Sequence, residues 1–378
     1  MISLEWVKDY IDISDQDLEE LAVKITQSGI NVEKVITNHI NNLVIGEVLE
    51  CVAHPDSDHL HVCKVNVGNT TEQIVCGAPN VREGLKVIVA LPGAVLPGDF
   101  EIKKSKIRGV ESNGMLCALY ELGLEEKNDE TYAKGIEELG TDASVGEDPL
   151  KYLGLDDTLY ELDIHKHRNN DCYYHIGFAY EIGAILNRPV TLPDLSFKED
   201  QNNVENYFTL DVETEKCPFY LAKMVKNAKI GESPEFIKKR LLAAGMRPIN
   251  NVVDISNYVM LEFGQPLHFF DKNRLGNHIL VRDAKDKEEV ITLDGKRRIL
   301  SSNDIVITDG NRPVCIAGVM GGENTEVEQD TTDILIEAAI FDPVSIRYTA
   351  ANLDLRSEAS IRSVSYTHLR AHETVLDL

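Results

Sequence analysis

Near residue 42 the apolar residues stop recurring at helical intervals and begin to alternate. LVIGEVLECV, HVCKVNVG, EQIVCGA, LKVIVALPG and FEIKKSKIRG are short runs rich in Val and Ile. His-Pro-Asp, Gly-Asn, Pro-Asn and Pro-Gly turns separate them. Within His61–Val67, Cys63, Val65 and Val67 fall on one side and Lys64 and Asn66 on the other. A period of two places alternate residues on opposite faces of a strand, so one face of each run must be buried. Five such strands in about 80 residues predict a small barrel. It is either an OB-fold, the member of that set that binds oligonucleotides, or another small barrel.

The flanking regions read differently. In the first 40 residues, Leu18, Leu21, Ala22 and Ile25 recur at helical spacing. Ser14 with Asp17 resembles a capping box, and Gly29 is a stop. Downstream, Asp171 opens an apolar helix ending near Asn187, and Asn206–Glu213 is a candidate strand. Ser233-Pro234 opens a helix that stops at Ala244-Gly245. Val252, Val253 and Val259 belong to another, closed by Gly264. HILVRDA, EVITLD, DIVITDG, VCIAGVMGG and DILIEAA then read as strands, so residues 205–345 form a mixed α+β domain.

At 378 residues, two or three domains are expected. The seven cysteines include no C-x-x-C pair, which argues against a zinc ribbon and suits a reducing, cytoplasmic compartment. The uncharged run Val87–Gly98 is too short to span a bilayer and holds two prolines, so no membrane partner is expected. The formal charge of −25 argues against a polyphosphate partner taken alone. The charge is uneven, however. Residues 125–157 carry eleven carboxylates against three lysines and read as a solvated connector. Shortly before them, Lys103, Lys104, Lys106 and Arg108 form a basic strip read as an RNA contact, with the lysine protection of an edge strand as its alternative.

Other candidates have bland readings beside the functional ones. Gly318-Val319-Met320-Gly321-Gly322 is either a phosphate cradle or a tight turn. His268, in Gln265-Pro266-Leu267-His268-Phe269-Phe270, is a catalytic or a packed histidine. Glu337, alone in the apolar run 334–339, is a functional carboxylate or a sheet-edge one. His54, Asp56, Asp58, His59 and His61 match no metal-ligand spacing and read as a polar loop; no metal site is expected.

Several stretches together resemble one family. His54-Pro55-Asp56-Ser57-Asp58-His59-Leu60, Ile74–Val81 and Arg108–Cys117 are similar to the tRNA-binding OB module of bacterial phenylalanyl-tRNA synthetase beta subunits. Arg247–Met260, Gly264–His268, Gly318–Gly322 and Leu355–Ser360 are similar to the editing domain of the same family. The segment Asp163–Asp171 departs from the family's usual Asp-Ile-Thr-Pro-Asn-Arg, so Arg168 takes no role from it. Val364–Thr374, VSYTHLRAHET, resembles a translated sequencing adapter, and the chain reads as a truncated frame with a non-native tail.

The resemblance implies a multidomain α+β chain. Its parts are a helical unit at 1–40, an OB-fold tRNA-binding domain with its acidic connector at 41–153, an editing domain at 154–362 and a tail at 363–378. It implies a ligase subunit of protein biosynthesis that binds tRNA(Phe) and hydrolyses tyrosine mischarged onto it. Phenylalanine activation, with ATP and Mg2+, would need the alpha subunit, in an enzyme of two alpha and two beta chains; this fragment would hold neither cofactor. The alternative is a non-catalytic tRNA-binding or assembly module. By the same resemblance, Glu337 accepts the substrate phenol, and His268, Ser256 and Asn257 line the pocket near the ester. Gly318 and Gly321 let the terminal adenosine approach, and Ala359 keeps the pocket open.

Overall fold

A computed structural model describes residues 1–37, 40–125, 127–164 and 168–365. The chain forms two compact units, Thr37–Asp157, and Met1–Ile36 together with the residues from Thr158 onward.

In the first unit the alternating runs form an antiparallel sheet in the order Met115–Cys117, Lys86–Ala90, Leu43–Ala53, His61–Asn66, Thr71–Cys76. Cys63, Val65, Ile74, Val87 and Val89 are buried along its inner face, as the period of two requires. The 11-residue strand Leu43–Ala53 curls at a register shift between Val48 and Glu50. Gly46 lets neighbouring side chains pack close over this strand: a Cβ there would lie 2.5 Å from Val89 Cγ2.

Two expectations change here. The acidic stretch 125–157 is an integral part of the unit. Glu138–Leu139 joins the sheet beside Lys86–Ala90, and Ile136, Ala143, Leu150 and Leu155 are buried. Spaced apolar residues dock the segment, while most of its described carboxylates stay exposed and Asp157 is buried. The basic strip is also placed differently. Lys106 lies in Ser105–Ile107, which pairs only with Val110–Ser112 in a two-stranded ribbon separate from the main sheet.

In the second unit, the helix Leu18–Ser28 is capped by Asp17, which accepts from Glu20 N, and ends at Gly29 with φ 109°. Ser14 is not the cap; it bonds Asp12 instead. This helical segment does not stand alone as expected. Leu4, Trp6, Leu21 and Ile25 share one core with Phe178, Ile182, Leu241 and Leu261. His175 ties the two stretches together, accepting from Ser3 N (3.1 Å) and bonding Leu261 O (2.8 Å). Burial pushes its imidazole down to about 3, so the ring is neutral.

The remaining helices close near the expected points. Glu235–Ala243 starts one residue late, with Pro234 as its cap, and Asn251–Phe263 ends at Gly264. Arg168 pairs with Asp171 and Glu181. Two sheets pack around one core containing Phe270, Val281, Ile307, Ile316 and Leu335. The smaller has Ile334–Ile340 at its centre, flanked by Phe219–Val225 and His268–Asp271, all antiparallel. The final helix, Glu358–Ser365, runs across the boundary expected after Arg362; the rest of the expected tail lies outside the described residues.

Candidate functional site

The three-stranded sheet brings the two solitary polar residues together. His268 stands directly opposite Glu337 in the register, and Ala222 stands opposite Glu337 on its other side. Directly paired residues point to the same face, so both side chains enter the same interior as Phe270 and Leu335. Each keeps one buried polar atom without a partner, Nε2 of His268 and Oε2 of Glu337. Glu337 is therefore not the exposed edge residue of the bland reading: it is 5% exposed on a central strand.

Burial sets the protonation of both groups. Loss of hydration pushes the Glu337 carboxyl up to about 8, against a lowering pull from the Tyr220 hydroxyl. The same cause pushes the His268 imidazole down to about 4. At neutral pH the pair is a carboxylic acid beside a neutral imidazole, able to donate and accept without net charge.

The surroundings hold His268 in place. Its ring meets Phe270 edge-on at 4.4 Å. The strand is entered from Leu267, whose carbonyl accepts from Ser256 Oγ at 2.9 Å. Ser256 thus acts on the backbone before His268. Gln265 Nε2 donates to Ala339 O at 3.3 Å, tying the same loop to the central strand. Asn257 follows Ser256 on the helix and is half-buried. Gly321 closes the other side, where a Cβ would fall 2.3 Å from His268 Cε1.

Gly318 and Ala359 lie further round. Gly318 has φ 66° and packs toward Phe341, Ile346 and Ser363. Ser357 Oγ donates to Val319 O at 2.7 Å, which fastens the start of the Ala359 helix to the glycine loop. Sequence reasoning passed over Tyr220, Cys217 and Cys315, all of which act electrostatically with Glu337. Their one legible signal was a hydroxyl or thiol in an otherwise apolar strand or turn.

The other unit offers a second candidate surface. A cleft of about 990 Å³ is bordered by Phe100, Lys103, Ile107, Tyr120 and Tyr132. Phe100 and Tyr132 are exposed. Lys127 Nζ sits 5.5 Å from the Tyr120 ring centre and 5.9 Å from that of Tyr132. Within the basic strip, Lys103 pairs with Glu101 and Lys106 with Glu111, and Arg108 donates to Asp56 O. The neighbouring histidines are engaged in their own loop: His54 bonds Ile107 O and accepts from Asp56 N, and His59 bonds Asp58. Among the described residues no group of three or more His, Cys, Asp or Glu side chains is arranged to hold a metal ion.

Comparison with known proteins matches a B3/4 domain over residues 216–377 and a putative tRNA binding domain over 43–142. The phenylalanine–tRNA ligase beta subunit of Geobacillus kaustophilus is 50% identical over 368 residues, covering 96% of this chain and 46% of the relative. That of Desulfotalea psychrophila is 48% identical over 366 residues, covering 95% and 44%. The chain thus spans about half the length of the curated relatives it matches. An N-terminal fragment of the phenylalanyl-tRNA synthetase beta subunit from Pyrococcus horikoshii aligns at 14% identity and a TM-score of 0.29, covering 53% of this chain and 61% of that one. A score that low carries no structural argument.

Proposed function

Because this chain is a homologue of phenylalanine–tRNA ligase beta subunits, carrying a B3/4 domain and a putative tRNA binding domain, we propose that it binds tRNA(Phe) and hydrolyses tyrosine mischarged onto it. The observation that carries this reading is the His268–Glu337 pair, two polar groups facing one another in an apolar interior with an unsatisfied atom each. Structural histidines and glutamates at such depth are normally hydrogen-bonded.

Phenylalanine and tyrosine differ by one hydroxyl, which an apolar synthetic pocket rejects poorly and a hydrogen-bonding site reads well. Glu337 is the acceptor for that hydroxyl. Hydrolysis adds water to the ester carbonyl carbon, breaks its bond to the ribose oxygen and delivers a proton to that oxygen. An imidazole held at about 4 is a weak base at neutral pH, so His268 places the water by accepting its hydrogen bond. Ser256 fixes the backbone that aims it, and Asn257 lines the approach. Gly321 and Gly318 keep backbone close to the incoming adenosine, with Ala359 as a small wall.

RNA is held by Lys103, Lys104, Lys106, Arg108 and the aromatic cleft beside them, on a barrel we read as an OB-fold. Activation of phenylalanine with ATP and Mg2+ belongs to an alpha partner, in a cytoplasmic assembly of two alpha and two beta chains. Among the described residues no helix is long and apolar enough to cross a membrane. Single-turnover deacylation of tyrosyl- and phenylalanyl-tRNA by the purified chain tests the reading. Tyrosine release faster than phenylalanine release is expected. Binding of tRNA with no hydrolysis of either ester would leave the non-catalytic module in its place.

A further inference from the structure

Tyr220 lies on the strand Phe219–Val225, opposite Ala339, while Glu337 lies two residues along the central strand, opposite Ala222. Tyr220 and Glu337 are therefore diagonal neighbours on one face, a separation that a tyrosine and a glutamate readily span. Their strand partners are both alanines, Ala339 and Ala222, so no bulk stands between the two polar ends. The Tyr220 hydroxyl is buried and has no partner, as is Oε2 of Glu337. The two groups nevertheless influence each other: burial first and then Glu337 raise the Tyr220 phenol, and the nearby Tyr220 hydroxyl holds the Glu337 carboxyl down.

We propose that Tyr220 is a specificity-determining residue of this site, donating its hydroxyl proton to the oxygen of a bound phenol while Glu337 accepts the phenol's own proton. The proposal rests on the editing reading above and supplies the second half of its hydroxyl reader. A phenol is both donor and acceptor, and one carboxyl oxygen satisfies only its donor side. Glu337 and Tyr220 together present one acceptor and one donor to the same small space. A phenylalanine side chain entering there leaves both unpaired, and an unpaired buried polar group is what makes such sites selective. His268, on the opposite neighbouring strand, remains free to act at the ester.

The test uses the full chain and its Tyr220→Phe variant, which keeps the ring and removes the hydroxyl. Single-turnover hydrolysis of tyrosyl- and phenylalanyl-tRNA is measured beside binding of non-hydrolysable tyrosine and phenylalanine amides of adenosine. The variant is expected to lose roughly 3–10-fold of the tyrosine preference in both assays, with tyrosine handled less well and phenylalanine accepted somewhat better, since it no longer strands the Tyr220 hydroxyl. The pH midpoint of that preference should rise, because the hydroxyl that holds the Glu337 carboxyl down is gone. The other titratable groups acting on Glu337 or set against it, His268, Cys217 and Cys315, are unaltered. If Tyr220→Phe keeps the full preference while Glu337→Ala loses it, the role of Tyr220 is overturned and the editing reading stands. A wild-type chain with no tyrosine preference in either assay overturns both. Equal loss toward both amino acids with a lowered Tm makes Tyr220 a packing residue and overturns the proposal.

Discussion

Glu337 and His268 face each other across adjacent antiparallel strands, and each ends in a buried polar atom that no protein group satisfies. In a close-packed interior this pairing costs free energy unless a ligand completes it. The proposed roles of the two residues differ, so their variants should differ too.

Glu337→Ala is expected to erase the preference for tyrosine over phenylalanine esters. With the carboxyl at about 8, the wild-type acceptor is mostly neutral at pH 7. Its hydrogen bond then contributes about 0.5–1.5 kcal/mol, or roughly 2–10-fold in selectivity, and about 1.5–3 kcal/mol once ionised. Wild-type selectivity should therefore climb through pH 8, and a flat profile would contradict the assignment. His268→Ala should slow hydrolysis of either ester without restoring acceptance of phenylalanine; a change in selectivity alone would misplace it.

Gly321→Ala should injure both stability and deacylation. The added methyl lands on the His268 ring, so the strand or the ring must move. Overpacking of this kind costs about 1–3 kcal/mol. Thermal melting and single-turnover hydrolysis check it; an unaffected rate would mean the ring has room to give.

Stability should fall between about pH 4.5 and 8 through Glu337. The folded state retains its proton up to about 8, whereas the unfolded chain loses it near the ordinary carboxyl value. The unfolded state thus binds fewer protons across that window, and stability declines as pH rises. His268 works oppositely between about 4 and 6.5, where the unfolded imidazole is protonated and the folded one is not. His175, which burial lowers to about 3, adds to the His268 side at acid pH, and above 6.5 the Glu337 decline is opposed by the amino terminus, whose ammonium burial also lowers. Glu337→Gln should flatten the decline from pH 6.5 to 8, by an amount on the order of 2 kcal/mol from the linkage relation. Chemical denaturation at fixed pH values measures it, and an unchanged slope would refute the buried proton.

The basic strip should act unevenly. Lys103 and Lys106 already face Glu101 and Glu111, so Lys104→Ala should weaken tRNA binding more than Lys103→Ala. Removing one lysine–phosphate interaction lowers the salt slope by about one. Titrations at several salt concentrations compare the two. Equal, small effects would assign the strip to edge protection of the ribbon.

Much of the architecture was legible because it follows local periodicity. Cys63, Val65 and Val67 alternate with Lys64 and Asn66, and no long-range information is needed to see which face is buried. Gly29 and Gly264 end helices at positive φ, a property of the residue itself. The acidic segment 125–157 misled because charge density dominated its composition. Ile136, Leu150 and Leu155 dock it, since a few buried apolar residues outweigh carboxylates that mostly stay in water.

The chain's order of residues carried the antiparallel strands of the first unit, the mixed α+β character and the singling out of His268 and Glu337, because period, turn chemistry and a polar residue in an apolar run are all local facts. Tertiary folding settled what they mean. The strand pairing placed His268 and Glu337 face to face and brought Tyr220, distant in sequence, diagonally beside Glu337. It also joined the first 36 residues to the region from Thr158 onward. Which strands become neighbours depends on how whole apolar faces share one core, and that is a property of the assembled interior rather than of any stretch within it.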